Sequence, residues 1–362
     1  MAVLGLPLLG AAWAGRELSG LFRFPPPLEI PTAYLRFSWT AAGAVVGALA
    51  FLARAWCAGR KPRREEGTTR TPPPAASPKG RFPAWGWVAL AWIAAWWVLA
   101  WNRFGWFAGV QRYTFFPLWL GFVVFVNGVS HRRTASCLMR RSPRLWLSLF
   151  GTSAIFWWGF EWLNRFVRNW HYLAVQDFGP LAYAAHATLC FSTVLPAVAA
   201  VAEGLQSSSR WMAFASRGPA WTWLDRPAAG VSFAAAGAVA LVCTGAFPRG
   251  FYPALWSAPL ALGIGYSILR RTSGWVSDAA RGDWARPLSW AAAGLICGFF
   301  WELWNARSLA KWIYTVPGVD RWHVFEMPAL GYTGYLPFGL ECLLVFEILN
   351  RGRAEGAAQA VD

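Results

Sequence analysis

Nine stretches of mainly apolar residues, at approximately 35–56, 84–101, 113–130, 145–163, 181–203, 228–247, 251–269, 287–304 and 332–350, constrain this chain more than any other feature. Each is close to the roughly 20 residues that a helix needs to cross a hydrocarbon layer. A backbone in hydrocarbon has to satisfy its own hydrogen bonds, so runs of this kind are expected to be spanning α-helices. The predicted fold class is all-α, a polytopic transmembrane bundle of about nine helices. Only 14% of residues are charged, against roughly 25% in soluble domains, and that excludes an ordinary soluble fold.

The net charge of +16 does not point to nucleic acid, because Lys and Arg gather in short segments between the apolar runs. Placed on alternate sides of the nine helices, 22 fall on one side and 11 on the other. Positive residues mark the cytoplasm, so the N-terminus is expected outside and the C-terminus inside the inner membrane of a bacterium, a source suggested by Ala-, Gly- and Arg-rich usage. The bilayer is the one expected partner beyond a lipophilic small molecule. The 27 Trp are expected mostly in aromatic belts at the two interfaces. Six cysteines without a C-x-x-C predict neither a disulfide framework nor a zinc site.

Residues 1–15 are apolar but short and interrupted by Pro7. They are expected as an interfacial or re-entrant piece, with a retained or cleaved signal as the alternative. With the first long run they form an N-terminal part, 1–56. Residues 57–82 are basic, Pro-rich and devoid of large apolar side chains over most of their length, which predicts a disordered cytoplasmic linker. A four-helix unit follows at 83–205, a connecting loop at 206–227, a second four-helix unit at 228–350 and a cytoplasmic tail at 351–362.

The two units echo each other. Phe160-Glu161-Trp162-Leu163-Asn164 corresponds to Trp301-Glu302-Leu303-Trp304-Asn305 at a spacing of 141 (302 minus 161). Trp170-His171-Tyr172 corresponds to Trp312-Ile313-Tyr314, Leu195-Pro196 to Leu336-Pro337, and Arg132-Arg133-Thr134 to Arg270-Arg271-Thr272. Units with an even number of spans point the same way through the membrane, so a pseudo-two-fold axis along its normal is expected.

Carboxylates in apolar runs are costly unless paired or protonated, which makes Glu302, Glu161 and Glu341 the candidate acid/base or proton sites. Asn305 and Asn164 lie three residues after two of these acids, spaced to donate to them on one helix face. Trp312, Tyr314, Trp170, Tyr172 and Tyr332 are the expected walls of a substrate pocket. Pro337 is expected to free a helix carbonyl near Glu341. Glu203 and Glu347 fall near cytoplasmic ends, Glu347 close to Arg351, as snorkelling or paired acids. No metal site is assigned, His171, His323 and Glu326 being the weak candidates, and no cofactor is specified.

The strings F-W-W-G-F-E-W-L-N with N-W-H-Y, and F-F-W-E-L-W-N with K-W-I-Y-T-V-P and F-E-M-P-A-L-G-Y, resemble those of a group of uncharacterised bacterial polytopic membrane proteins. That resemblance covers approximately residues 113–350 and implies no activity. A looser likeness is to the small carotenoid lycopene cyclases of bacteria, although the order here is F-E-M-P rather than P-x-E-E. Three functions are expected in turn: a membrane-embedded enzyme or binding protein for a lipid or isoprenoid-like substrate, a proton-coupled transporter or channel, and a structural or assembly subunit.

Overall fold

The computed structural model describes residues 2–31, 37–59 and 80–359, with side chains up to Arg351. Most of the expected linker, 60–79, lies outside the described residues, as do the side chains of the expected tail.

Helices fill the apolar runs in order: α1 (Ala2–Trp13), α2 (Trp39–Gly59), α3 (Ala84–Trp101), α4 (Phe115–Thr134), the short α5 (Leu138–Arg141), α6 (Pro143–Val167), α7 (Pro180–Phe191), α8 (Val194–Gln206) and the short α9 (Ser209–Ala215). They continue with α10 (Pro227–Ala246), the short α11 (Pro248–Phe251), α12 (Ala254–Arg270), the short α13 (Gly274–Ala280), α14 (Ala285–Asn305) and α15 (Tyr335–Gln359). Pro143, Pro180 and Pro227 open their helices, where proline's missing N–H costs nothing.

By length and composition, five helices among the described residues are apolar enough to cross a membrane: Trp39–Gly59, Ala84–Trp101, Pro180–Gln206, Pro227–Ala246 and Ala329–Arg351. A sixth is gained if Gly105–Tyr113 and Phe115–Thr134, bent by 69°, count as one span. The α6 and α14 helices carry Arg, Glu and Asn within their runs, and α12 has only 17 residues.

The expected helix 181–203 is two pieces. Pro196 cannot donate to the carbonyl four residues back, and the chain breaks at Ser192-Thr193. Ser153 on α6 bridges the break, its hydroxyl donating to the Phe191 carbonyl at 2.6 Å and accepting from the Leu195 N–H at 2.9 Å. This anchors α8 at the centre, where Val194 to Ala202 are all buried and the helix packs against α4, α6, α14 and α15.

Close helix approach depends on glycine. A Cβ at Gly294 would lie 2.3 Å from the Tyr335 carbonyl oxygen, and one at Gly339 would lie 2.1 Å from that of Trp290, so α14 and α15 touch backbone to backbone. The N-terminal α1 is likewise seated on α10. By contrast α2 is barely buried and is tied at its ends. The Ser38 N–H bonds to Gly318 O at 2.9 Å, and Trp56 packs edge-on against Trp284 at 5.6 Å.

Helix does not account for everything. The W-x-Y segments are strands, β1 (Trp170–Leu173) and β2 (Lys311–Tyr314), paired antiparallel, with a second small pair, β3 (His323–Val324) and β4 (Met327–Pro328). The aromatic belts are also only part of the tryptophan story. Trp119, Trp170, Trp275, Trp290, Trp301 and Trp304 are buried in the interior.

Candidate functional site

Two acids, one strand pair and one chamber form the site. Near the end of α6 stands Glu161, after which the chain turns through Arg168, whose φ of 53° is left-handed, and returns as β1. Asn164 secures that return: its amide donates to Trp170 O at 2.9 Å, and its oxygen accepts from Asn169 N at 2.7 Å. On α14, Asn305 does the same for β2, donating to Trp312 O at 2.7 Å and accepting from Trp312 N at 2.8 Å. Both asparagines therefore clasp the following strand. The expected amide-to-carboxylate contact is corrected, because the unpaired strand backbone takes up the amide's capacity.

The clasps bring aromatic donors onto the acids. Glu161 Oε1 accepts from Tyr172 OH at 2.7 Å, Trp170 Nε1 at 3.0 Å and Trp157 Nε1 at 3.1 Å. Glu302 Oε1 accepts from Tyr314 OH and Tyr335 OH, both at 2.7 Å, with Trp312 Nε1 at 3.4 Å. The third donor has a different origin in each cup. One turn before Glu161 is Trp157, on the same helix. One turn before Glu302 is Gly298, where a Cβ would lie 2.2 Å from Tyr335 Cδ2, so the empty position admits the Tyr335 ring from α15.

The second oxygens differ as well. Glu302 is fully buried, and its Oε2 has no hydrogen-bond partner among the described residues. Leaving such an atom unsatisfied costs a few kcal/mol, about 1–3.

The β1–β2 register places Trp170 opposite Tyr314 and Tyr172 opposite Trp312, so the two cups face one another across the strand pair. Between them lies a cavity of about 110 Å³, lined by Tyr172, Tyr314 and Tyr335 and by the faces of Trp157, Trp256 and Trp301. Cavities of about 150 Å³ with apolar walls admit a benzene-sized group. Two clefts flank this chamber. A polar one of about 340 Å³ reaches Glu161, Asn164, Arg165 and His171, under the N-terminal segment. A less polar one of about 220 Å³ runs between Val45 of α2 and Trp256, Tyr314 and Tyr335.

Burial, reinforced by the adjacent carboxylates, holds the Tyr172 and Tyr314 phenols well above the usual tyrosine range, so both remain donors. Burial also lowers His171 and favours its neutral form. Thr315 gives its proton to Arg168 O at 2.7 Å, so its oxygen accepts from the Nε2–H of His171 at 2.9 Å.

Other expected sites fall elsewhere. Tyr332 points away, its hydroxyl donating to Val324 O at 3.1 Å, and the phenol that completes the site is Tyr335. Glu341 is buried, with no hydrogen-bond partner for either oxygen among the described residues, beside the peptide of Leu260 on α12. Pro337 lies in the first turn of α15, and the proline inside a helix near Glu341 is Pro259 of α12. The weak metal candidates are apart: His323 pairs with Asp320 at 2.9 Å and Glu326 with Lys311 at 2.6 Å. Among the described residues no three His, Cys, Asp or Glu side chains converge. Glu347 pairs with Arg286 at 2.6 Å rather than with Arg351, and Glu203 pairs with Arg141 at 2.9 Å.

Comparisons with family models, curated proteins and solved structures returned no match, so the site is read from its own chemistry.

Proposed function

We propose that this chain is a multi-pass protein of the bacterial inner membrane that binds, and acts on, the end of a lipid or isoprenoid-like substrate. In this reading nine helices span, with the N-terminus outside. Residues 83–205 and 228–350 are two parallel copies of a four-helix unit, and the like placement of the Trp and Tyr of each W-x-Y strand on its acid supports their kinship. The chamber takes one ring-sized or branched apolar group, and the cleft under Val45 admits the rest of the chain from the bilayer.

The observation that carries this reading is that three phenols, those of Tyr172, Tyr314 and Tyr335, both line the apolar chamber and donate to buried Glu161 and Glu302. Such a phenol can pass its own proton to the carboxylate it touches as its oxygen takes one from the bound group, so phenol and carboxylate together work as a proton relay at the chamber wall. The tryptophan faces help make the chamber lining almost wholly apolar, a setting in which each polar contact at its edge is stronger.

The test is extraction of the purified protein and identification of the apolar molecule that accompanies it. Ala310 lines the chamber from a loop, so Ala310→Phe is expected to abolish that molecule's retention. Glu302→Gln and Glu161→Gln are expected to fold and retain it but to lose turnover. Full turnover in both variants would refute the acid/base role, and a loss of protein abundance alone would favour a structural subunit. A transporter needs a polar path through the other half of the bundle. There Glu203 and Glu347 are held in ion pairs, and Asn127 bonds to Val123 O and Met139 N.

A further inference from the structure

The two cups match in their first oxygen and differ in their second. In each, Oε1 collects every hydrogen bond the carboxyl receives. A carboxyl oxygen that already accepts two or three hydrogen bonds is a poor place for a proton, so a proton on either acid belongs on Oε2. For Glu302 that atom is sealed and has neither donor nor acceptor. Glu161, 6% exposed, lines the polar cleft instead, and Oε2 is the oxygen free to face it.

The cleft has a built roof. Arg165 donates to the carbonyl oxygens of Leu21 at 3.4 Å and Arg23 at 2.5 Å, and Arg168 pairs with Glu29 at 2.9 Å, holding the strap 21–29 over it. Besides Glu161, the titratable groups that face it are Glu29, Arg165, Arg168, His171, Tyr172 and Tyr183. Both arginines are engaged with the strap, and among the described residues Glu161 Oε2 has no hydrogen-bond partner, all of its carboxyl's bonds falling on Oε1. At about 340 Å³, and given that water takes roughly 30 Å³ per molecule, the cleft has room for several waters with polar partners. Trp170 and Tyr172 line the cleft and also the apolar chamber, so the wall between the two is one side chain thick.

We propose that the acids have different duties: Glu161 is the water-exchanging member, taking a proton from and returning it to water in the cleft under the strap, whereas Glu302 exchanges only through the phenols of Tyr314 and Tyr335. The step is a plain proton transfer, from hydronium or water in the cleft to carboxylate Oε2 and back, and it needs no co-reactant. The inference rests on the acid role proposed above, yet its test requires neither a substrate nor turnover.

The full-length protein is treated with a water-soluble carbodiimide and an amine, and modification is read residue by residue by mass spectrometry. Glu161 is expected to be modified at least about tenfold faster than Glu302 and Glu341, a gap of about 1.4 kcal/mol in barrier or more. Gly20 lines the cleft and has open space where a Cβ would go, so Gly20→Trp sets a bulky ring at the rim of the cleft, and its Cβ meets no neighbour. That variant is expected to slow Glu161 modification several-fold and leave Glu302 unchanged. Equal rates for Glu161 and Glu302, or a Gly20→Trp variant that still modifies Glu161 at the original rate, would overturn the proposal. Ala310→Phe separates the two readings, because it empties the chamber without entering the cleft.

Discussion

Trp170 stands directly opposite Tyr314 in the strand pair, and each gives its polar hydrogen to a different buried acid, Glu161 at 3.0 Å and Glu302 at 2.7 Å. One cross-strand pair thus couples two helices distant in sequence. Whatever shifts the strands alters both acids together, which the following expectations use.

Replacing Gly298 should act on Glu302 without touching it. Its Cβ would lie 2.2 Å from the Tyr335 ring, so Gly298→Ala has to push that ring away and break the 2.7 Å bond to Glu302. Tyr335→Phe removes the same bond by deleting the hydroxyl. Each is expected to cost about 1–3 kcal/mol. Because they remove one interaction, the double variant should cost little more than either alone, as measured by thermal unfolding in detergent.

Asn164→Ala and Asn305→Ala test the clasps. Each strips partners from strand N–H and C=O groups at the mouth of a cup, and a loss of about 1–3 kcal/mol is expected from each. If the asparagines instead served substrate alone, thermal unfolding would not move while substrate retention fell.

Much of this arrangement is visible in the chain. The apolar runs announce helices, the acids within apolar runs stand out by cost, and the W-x-Y strings follow the two acids at nearly the same distance, nine residues after Glu161 and ten after Glu302. What the residues do not announce is pairing across the molecule. Trp170 meets Tyr314 because two loops come together, which no local pattern encodes. Tyr335 is hidden among the aromatics at the start of α15, and only the small residue at Gly298, one turn before its acid, hints that a ring enters there. Trp157, one turn before Glu161, is a detectable signal that hydrophobic patterning treats as lipid-facing. The break before Pro196 depends on Ser153, a polar side chain from another helix, so proline alone does not distinguish it from Pro337.

Stability should fall on both sides of neutrality for separate reasons. The folded His171 has a pKa below its ordinary value, so the unfolded chain binds a proton more readily. Its contribution is complete above roughly pH 6.5 and is lost as pH falls toward the folded value. Tyr172 and Tyr314 are raised well above theirs, so their contribution is complete below roughly pH 10 and declines as pH rises beyond it. Thermal unfolding across pH should show both declines. His171→Gln should flatten the acid one only, and Tyr314→Phe should reduce the alkaline one only.

The far ends of the helices carry a matched pair of ion pairs that should differ in worth. The Glu347 side chain is 9% exposed and takes a second hydrogen bond from Ser273 at 2.7 Å, while the Glu203 side chain is 21% exposed and also accepts from Leu138 N at 2.8 Å. Removing a cation strands its acid, and the penalty grows with the acid's burial rather than with the strength of the lost pair. Arg286→Gln is therefore expected to lower the unfolding temperature more than Arg141→Gln, whose acid keeps both solvent and a backbone donor. Adding Glu347→Gln to Arg286→Gln should recover most of the loss, since an amide can still accept from Ser273 without carrying charge. A double variant no more stable than Arg286→Gln would show that the arginine acts through packing of its stem and not through its charge.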